Sequence, residues 1–311
     1  MHRIVRFLAL TLGLMATLGG EARAEPLKVV ASFSILGDFV SRVGGDEVAV
    51  TVLVGPDGDA HVFAPSPSAA RAVAGADLVV VNGLGLEGWI ERLVAASGYG
   101  GRVLVLSDAI RPREMAGGGG HDHDHDHREA ADDGHAPDPH AWQDVANARA
   151  YVAALARALS EAAPERAAAF AANAAAYDRE LAALDAWTRE SLAAIPKDKR
   201  RVITSHDAFG YFAAAYGVEF LAPLGLSTDA EPSAAALGAL VRQMRSERIR
   251  ALFVENVTNP RMIDMLAREA GARPGPPLYS DALSRPGEGG ETYVAMMRHN
   301  VAALVEGMRG N

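Results

Sequence analysis

Eight short apolar, β-branched runs constrain the fold of this 311-residue chain more than any other feature. They form two sets of four, at residues 27–31, 48–54, 78–81 and 103–106, and at residues 202–204, 218–221, 251–254 and 278–279. Segments typical of helices or loops separate the runs, as in the βαβ units of a parallel sheet. The sequence therefore predicts an α/β fold with two lobes, one for each set of strands.

A helical stretch lies between the two sets, from residue 145 to residue 195. Ala, Leu, Glu and Arg dominate it, and this composition strongly favours helix. Because Pro suits a first helical turn, the interruption at Pro164 predicts a second helix that begins at Glu165 and has more than about thirty residues. Such a helix would join an N-terminal lobe at 25–144 to a C-terminal lobe at 196–311, with 145–195 as the helical segment.

The N-terminus carries the features of a Sec-type secretory signal. Arg3 and Arg6 precede an apolar run at 7–18, and Ala22 and Ala24 frame a small-x-small cleavage site. The run is shorter than the roughly 20 residues that cross a bilayer, so we interpret residues 1–24 as a signal peptide and not as a membrane anchor. The mature chain is then expected to be a soluble periplasmic protein. A lipoprotein would need a Cys at the cleavage point, and the sequence contains none.

The absence of Cys also restricts the chemistry. It excludes disulfides, thiolate metal ligands and a Cys nucleophile, so any metal must be held by nitrogen and oxygen. The net charge is −9, and an acidic protein is a poor candidate for binding nucleic acid or anionic membranes.

One low-complexity insert, at residues 117–136, contains five of the ten histidines. Four consecutive Gly residues open it and an alternating His-Asp run follows, which predicts a flexible loop because the segment can bury no apolar surface. Imidazole and carboxylate both bind zinc, and we interpret the loop as a weak collector of Zn²⁺. The alternative is a solvated tract whose metal affinity is incidental. The histidines concerned are His121, His123, His125, His127 and His135.

Four other side chains lie where open parallel sheets place their ligands, at the carboxyl ends of strands. His61 follows the second predicted strand, His206 the fifth and Asp281 the eighth, while His140 directly precedes the helical stretch. Each alone is a weak signal, because a lone loop His usually faces solvent and a strand-end Asp often caps a helix. Together, two from each side of the long helix, they predict a metal site in the cleft between the lobes.

Several motifs spread over most of the chain carry a family resemblance. They are residues 29–36 (Val-Val-Ala-Ser-Phe-Ser-Ile-Leu), 61–67 (His-Val-Phe-Ala-Pro-Ser-Pro), 81–89 (Val-Asn-Gly-Leu-Gly-Leu-Glu-Gly-Trp), 138–142 (Asp-Pro-His-Ala-Trp), and the segments around His206 and Asp281. By these motifs the chain resembles the zinc and manganese solute-binding proteins of ABC transporters, the ZnuA and TroA type of cluster A-I. The resemblance implies two (β/α)₄ lobes with four-stranded parallel sheets, a rigid bridging helix, one metal in the cleft and delivery to a permease in the inner membrane.

Carried over by position, the family's ligands fall on His61, His140, His206 and Asp281. The third position separates the metals, because manganese members have Glu there and zinc members have His. Three imidazoles and one carboxylate also suit tetrahedral Zn²⁺, whereas Mn²⁺ prefers more oxygen ligands. The resemblance therefore implies one high-affinity Zn²⁺ site, with a manganese- or iron-binding homologue as the alternative.

The chain departs from many zinc members in two ways. Ala60 stands where some have an acidic residue before the first His, and the disulfide of their second lobe is absent. In these respects it resembles the AztC-type zinc-binding proteins, which implies a periplasmic zinc metallochaperone as a candidate donor. We expect a monomer.

Three carboxylates are candidates for orienting the ligating histidines, as metal-bound His usually requires. Glu255 ends the seventh predicted strand, and Asp207 and Asp59 lie near ligands in sequence. For each of them, helix capping or solvation is an equally good interpretation.

The sequence bears on two rival functions. A zinc hydrolase is disfavoured, because four protein ligands leave no open position for water and the sequence contains neither His-Glu-x-x-His nor Gly-x-Ser-x-Gly. A periplasmic zinc buffer or adhesin without a transporter stays open.

Overall fold

The computed structural model describes residues 25–113, 137–228 and 232–311. The predicted signal peptide and the predicted His-rich loop, with its five histidines, lie outside these ranges.

Four parallel strands form the sheet of the first lobe, in the order β2-β1-β3-β4. The strands are β1 (Leu27–Phe33), β2 (Val48–Val54), β3 (Leu78–Val81) and β4 (Arg102–Val105), and the helices are α1 (Ser34–Gly44), α2 (Pro67–Ala74) and α3 (Ile90–Ser97). All four residues of β3 are buried, as expected for a parallel strand covered on both faces. The first predicted sheet is confirmed, and the loops after its strands lead towards the cleft.

Two helices fill the predicted helical stretch, α4 (Val145–Ala162) and α5 (Ala167–Ala193). A tight 3₁₀ turn, Pro164–Arg166, separates them, so α5 has 27 residues and not the more than thirty predicted from Glu165. Pro196 limits its other end, because the residue before a Pro avoids helical geometry. The helix packs against α1 of the first lobe and against α6 (Gly210–Tyr216) and α9 (Tyr293–Arg309) of the second, and so bridges the lobes.

The sheet of the second lobe is less regular. Strands β5 (Arg201–Ile203) and β6 (Glu219–Leu221) pair in parallel, and helices α7 (Ala234–Glu247) and α8 (Arg261–Ala270) follow. The third and fourth predicted strands contribute single parallel bridges, Ile203 with Leu252 and Glu255 with Leu278. The second lobe therefore has the predicted parallel arrangement, but its third and fourth segments are too short to form regular strands.

Two prolines explain why the fourth segment of the second lobe, at Leu278, is so short. The N–H of Leu278 donates to the carbonyl of Val254 at 2.8 Å, but Pro276 and Pro277 precede it and have no N–H to donate. A ladder cannot extend through such residues.

An apolar core continues from one lobe into the other. Within the first lobe, Phe33 of β1 packs against Trp142 with ring centroids 5.0 Å apart. Between the lobes, Phe39 of α1 packs against Tyr293 of α9 at 4.9 Å, and the hydroxyl of Tyr293 donates to the carbonyl of Trp142 at 2.7 Å. All four rings are buried, so the lobes share aromatic surface beside the cleft. None of the helices in the described ranges combines the length and apolar character needed to cross a bilayer.

Candidate metal site

The four predicted ligands converge in the cleft. One ligand atom from each of His61, His140, His206 and Asp281 lies within 4.8 Å of all the others. The Nε2 atoms of His61 and His140 are 3.3 Å apart. Oδ2 of Asp281 lies 3.0 Å from Nε2 of His206 and 3.4 Å from Nε2 of His61, and Oδ1 lies 3.5 Å from Nε2 of His140. The carboxylate therefore faces all three imidazoles.

The cluster is almost closed to solvent. The side chains of His140, His206 and Asp281 have no exposed surface, and that of His61 is 6% exposed. Val62, the next residue, is 53% exposed. His61 therefore lies at the open side of the cluster.

Two aspartates anchor the histidines of the first lobe, each two residues before its partner. Oδ1 of Asp59 accepts the backbone N–H of His61 at 2.9 Å, and Oδ1 of Asp138 accepts that of His140 at 3.0 Å. Asp138 also reaches the ring, because its Oδ1 lies 2.9 Å from Nδ1 of His140. A proton held at Nδ1 leaves Nε2 free to face the cluster.

Glu255 orients the histidine of the second lobe. Its Oε1 accepts the backbone N–H groups of Ser205 at 2.7 Å and His206 at 2.9 Å, and its Oε2 lies 2.5 Å from Nδ1 of His206. Glu255 is fully buried, so it contacts His206 in a setting where charge interactions are strong.

The loop that carries Asp281 is held by residues outside its own lobe. The indole Nε1 of Trp142 donates to the carbonyl of Ser280 at 2.9 Å. On the other side, Oγ of Ser34 in α1 accepts the N–H of Leu283 at 2.9 Å. Asp281 thus follows the last strand segment of the second lobe, while its backbone is tied to the first lobe.

Opposite charges control protonation at the cluster. Burial disfavours a charged imidazole, but the carboxylates of Glu255 and Asp281 outweigh it and hold the pKa of His206 well above its usual value. Burial likewise disfavours a charged carboxylate, but His206 and His140 hold the pKa of Asp281 well below its usual range. The arrangement stabilises positive charge between an ionised carboxylate and imidazoles, and a divalent cation can replace the proton there.

The donor set fits a metal ion. Both carboxylate oxygens of Asp281 are buried, and they face the three imidazoles of the site at 3.0 to 3.5 Å. Buried oxygens of this kind are costly unless a cation or donor satisfies them. Three imidazole nitrogens and one carboxylate supply the four ligands of a closed tetrahedral site.

The other carboxylates that the sequence singled out have different environments. Asp59 holds only the backbone of His61, and its Oδ2 accepts the hydroxyl of Thr228 at 2.5 Å. Within the described ranges, no hydrogen bond or ion pair joins the carboxylate of Asp207 to a site imidazole, and burial together with the charge of Asp138 raises its pKa. Of the three predicted orienting residues, only Glu255 lies against a ligand ring.

Sequence reasoning missed Asp138. The available signal was its position two residues before His140, the same spacing that relates Asp59 to His61. In a short loop, this spacing lets an Asp carboxylate accept the N–H two residues ahead, as in an Asx turn.

Known proteins similar to this chain bind metals. Residues 29–307 match the family described as zinc-uptake complex component A, periplasmic (ZnuA). The manganese-binding lipoprotein MntA of Halalkalibacterium halodurans is 34% identical over 292 residues, which cover 93% of this chain and 91% of that protein. MntA of Bacillus subtilis is 31% identical over 295 residues, with coverage of 93% and 92%.

Solved structures share the fold. The periplasmic zinc binding protein TroA from Treponema pallidum has a TM-score of 0.81 at 27% identity, covering 91% of this chain and 99% of its own. The Mn-bound periplasmic metal binding protein from Candidatus Liberibacter asiaticus has a TM-score of 0.77 at 27% identity, with the same coverage. Together with the four-ligand cluster, these matches show that the chain belongs to the ZnuA family, the metal-binding, substrate-binding components of ABC transporters, which are not enzymes.

Proposed function

We propose that this protein captures one Zn²⁺ with His61, His140, His206 and Asp281 and delivers it to an ABC permease. The observation that carries the proposal is the convergence of three imidazoles and one carboxylate within 4.8 Å of one another. Asp138 and Glu255 contact the Nδ1 atoms of two of the rings, which favours Nε2 as the metal-binding atom in both.

The types of ligand support zinc over manganese as the bound metal. Nitrogen-rich, four-coordinate sites suit Zn²⁺, whereas Mn²⁺ favours oxygen and higher coordination and binds more weakly in the general affinity order. Manganese is the second candidate, since two similar relatives are named for it. One geometric feature also favours it: both oxygens of Asp281 face imidazoles, so a bidentate carboxylate could raise the coordination number to five.

Metal competition tests the assignment. Wild-type protein produced in medium with both metals should retain zinc, and Zn²⁺ should displace Mn²⁺ in a competition titration. His206→Glu should reduce this preference, because it exchanges an imidazole for a carboxylate. A wild-type protein that prefers Mn²⁺ would overturn the zinc assignment and leave metal binding intact.

The site of action is proposed to be the periplasm, after removal of residues 1–24. The relatives named lipoproteins differ from this chain in one respect, since it has no Cys to which a lipid could be attached. The same proposal includes the supply of zinc by a metallochaperone, as in the AztC type, and a monomeric state. It also includes lobe boundaries at residues 144 and 195. Zinc uptake in a deletion strain tests the transport role: unchanged uptake would favour a buffer or adhesin.

The His-rich insert is proposed to raise the local zinc concentration near the cleft. Deleting residues 117–136 should lower the number of weakly bound zinc ions and slow transfer to the site. If stoichiometry and transfer rate both stay unchanged, the collector role is wrong.

A further inference from the structure

Trp89 contacts the loop that carries His61 at the residues on either side of this ligand. Its indole Nε1 donates to the carbonyl of Ala60, the residue directly before His61, at 2.8 Å. Its ring also packs edge-on against Phe63, two residues after His61, with centroids 4.8 Å apart. Because Trp89 is 96% buried, it holds this loop on both sides of the ligand from within the core.

Asn82 makes the equivalent contact to the loop that carries His140. Its Nδ2 donates to the carbonyl of Pro139, the residue directly before His140, at 2.9 Å. Its Oδ1 accepts the hydroxyl of Tyr151 in α4 at 2.9 Å, which fixes the orientation of the amide. Asn82 and Trp89 are the ends of one segment, residues 82–89, which we call the clamp loop.

Glu87 organises the clamp loop from inside. Its Oε1 accepts the hydroxyl of Ser32 at 2.6 Å and the N–H of Asn82 at 2.7 Å, and its Oε2 accepts the N–H of Gly83 at 3.1 Å. Glu87 is buried, and within the described ranges no basic side chain forms an ion pair with it. A buried carboxylate of this kind depends on its hydrogen bonds, so it fixes the backbone that supplies them.

The backbone of the clamp loop is held in an unusual shape. Gly83, Leu84 and Gly85 have φ values of +88°, +55° and +81°. A positive φ is strained for a residue such as Leu, and it persists where the surroundings determine it. The contacts of Glu87 supply that constraint.

We propose that Asn82, Glu87 and Trp89 are positioning residues of the metal site. By holding the carbonyls directly before His61 and His140, the clamp loop sets the separation of these two imidazoles, whose Nε2 atoms lie 3.3 Å apart. The first-lobe half of the site is thereby organised before the ion arrives, which reduces the cost of ordering the ligands on binding. This inference rests on the proposed metal-binding function.

Trp89→Phe is the most direct test, because it removes the indole N–H and keeps an aromatic ring. Zn²⁺ affinity is measured by competition with a chelator, and Co²⁺ absorption reports the ligand geometry. We expect about tenfold weaker Zn²⁺ binding, the effect of losing one buried hydrogen bond, and an altered Co²⁺ spectrum. Trp187→Phe is the matched control, since Trp187 lies on α5 against Arg298 and should leave both measurements unchanged.

A double-mutant cycle separates positioning from general structural support. In a His61→Ala background the effect of Trp89→Phe should vanish, because no imidazole is left to position, whereas in an Asp281→Ala background it should persist.

Glu87→Gln is the second variant. The backbone N–H groups of Asn82 and Gly83 donate to different oxygens of Glu87, and an amide has only one oxygen, so one of these bonds is lost. Zn²⁺ affinity should therefore fall and the Co²⁺ spectrum should change, as they do in Trp89→Phe. Wild-type affinity and spectrum in both variants would overturn the inference while leaving the proposed function intact. Absence of metal binding by the wild type would instead overturn the proposed function.

Discussion

Oε2 of Glu255 lies 2.5 Å from Nδ1 of His206. The same carboxylate accepts the backbone N–H groups of Ser205 and His206 through Oε1, so it cannot rotate away without losing both bonds. The neutral imidazole therefore keeps its proton at Nδ1 and presents Nε2 to the metal. Because the zinc assignment depends mostly on His206, Glu255 controls the ligand that matters most.

Glu255→Gln should weaken Zn²⁺ binding by about 10- to 100-fold. A Gln can still accept the two backbone N–H groups, but its amide nitrogen would then donate to Nδ1 and move the imidazole proton to Nε2, the atom that faces the metal. Chelator competition measures the effect. Glu219→Gln, at a half-exposed carboxylate of β6, should bind as the wild type does. Equal affinity of Glu255→Gln and wild type would show that Glu255 does not set the tautomer.

Zinc binding should release about one proton per ion near pH 7, because the metal displaces the proton of His206. The carboxylates of Glu255 and Asp281 hold the pKa of His206 well above its usual value in the metal-free protein, so the ring is protonated at neutral pH. Affinity should therefore fall as the pH is lowered through and below that raised pKa. Asp281 has a strongly lowered pKa, stays ionised and releases no proton.

Calorimetry in two buffers of different ionisation enthalpy counts the released protons. His299→Gln is the control, because this His bonds the carbonyl of Pro277 at 2.7 Å outside the cluster and should not alter the count. Zinc binding without proton release at pH 7 would contradict the raised pKa of His206.

Gly83→Ala should destabilise the protein by roughly 3 kcal/mol. Gly83 has φ +88°, and an added Cβ would lie 2.5 Å from Cγ1 of Val105 and 2.6 Å from Oγ of Ser107. Gly88→Ala, in the same loop, is the matched control: its Cβ would have no atom within 4 Å, and its φ is not positive. Urea unfolding of the metal-free proteins gives the free energy of unfolding of each variant. Equal stability of the two variants would contradict the steric argument.

The strand ends made the ligands predictable from sequence. His61, His206 and Asp281 each follow an apolar run, and parallel strands bring such residues to one edge of a sheet. Asp138 was missed because its importance comes from the turn before His140, where a local carboxylate reaches both the backbone and the ring. Turn geometry of this kind is set by contacts that an apolar pattern does not record.

Irregular structure was harder to predict than regular elements. The pattern at 278–279 resembles a strand, but Pro276 and Pro277 reduce it to a single bridge with Glu255. In the same way, composition alone did not reveal that the turn after Pro164 would shorten α5. The clamp loop was visible only as a motif, since the bonds of Glu87 join residues far apart in sequence.

Asp281→Asn should abolish most zinc affinity and leave the fold intact. Its carboxylate faces the imidazoles of the site, and at a pH above the pKa of His206, where that ring is uncharged, an amide in its place breaks no ion pair with His206. The loop is instead held through backbone atoms, by Trp142 at the carbonyl of Ser280 and by Ser34 at the N–H of Leu283.

The expected loss of affinity exceeds the roughly 10- to 100-fold that follows from losing an orienting partner, because a charged ligand itself is removed. Chelator competition measures the affinity, and thermal unfolding of the metal-free protein, at a pH above the pKa of His206, is the control. A nearly unchanged affinity would mean that water and not Asp281 completes the coordination, which is the arrangement of a catalytic metal. Because the Asp281 carboxylate faces all three imidazoles at 3.0 to 3.5 Å, the geometry predicts that the three imidazoles alone hold the ion much more weakly.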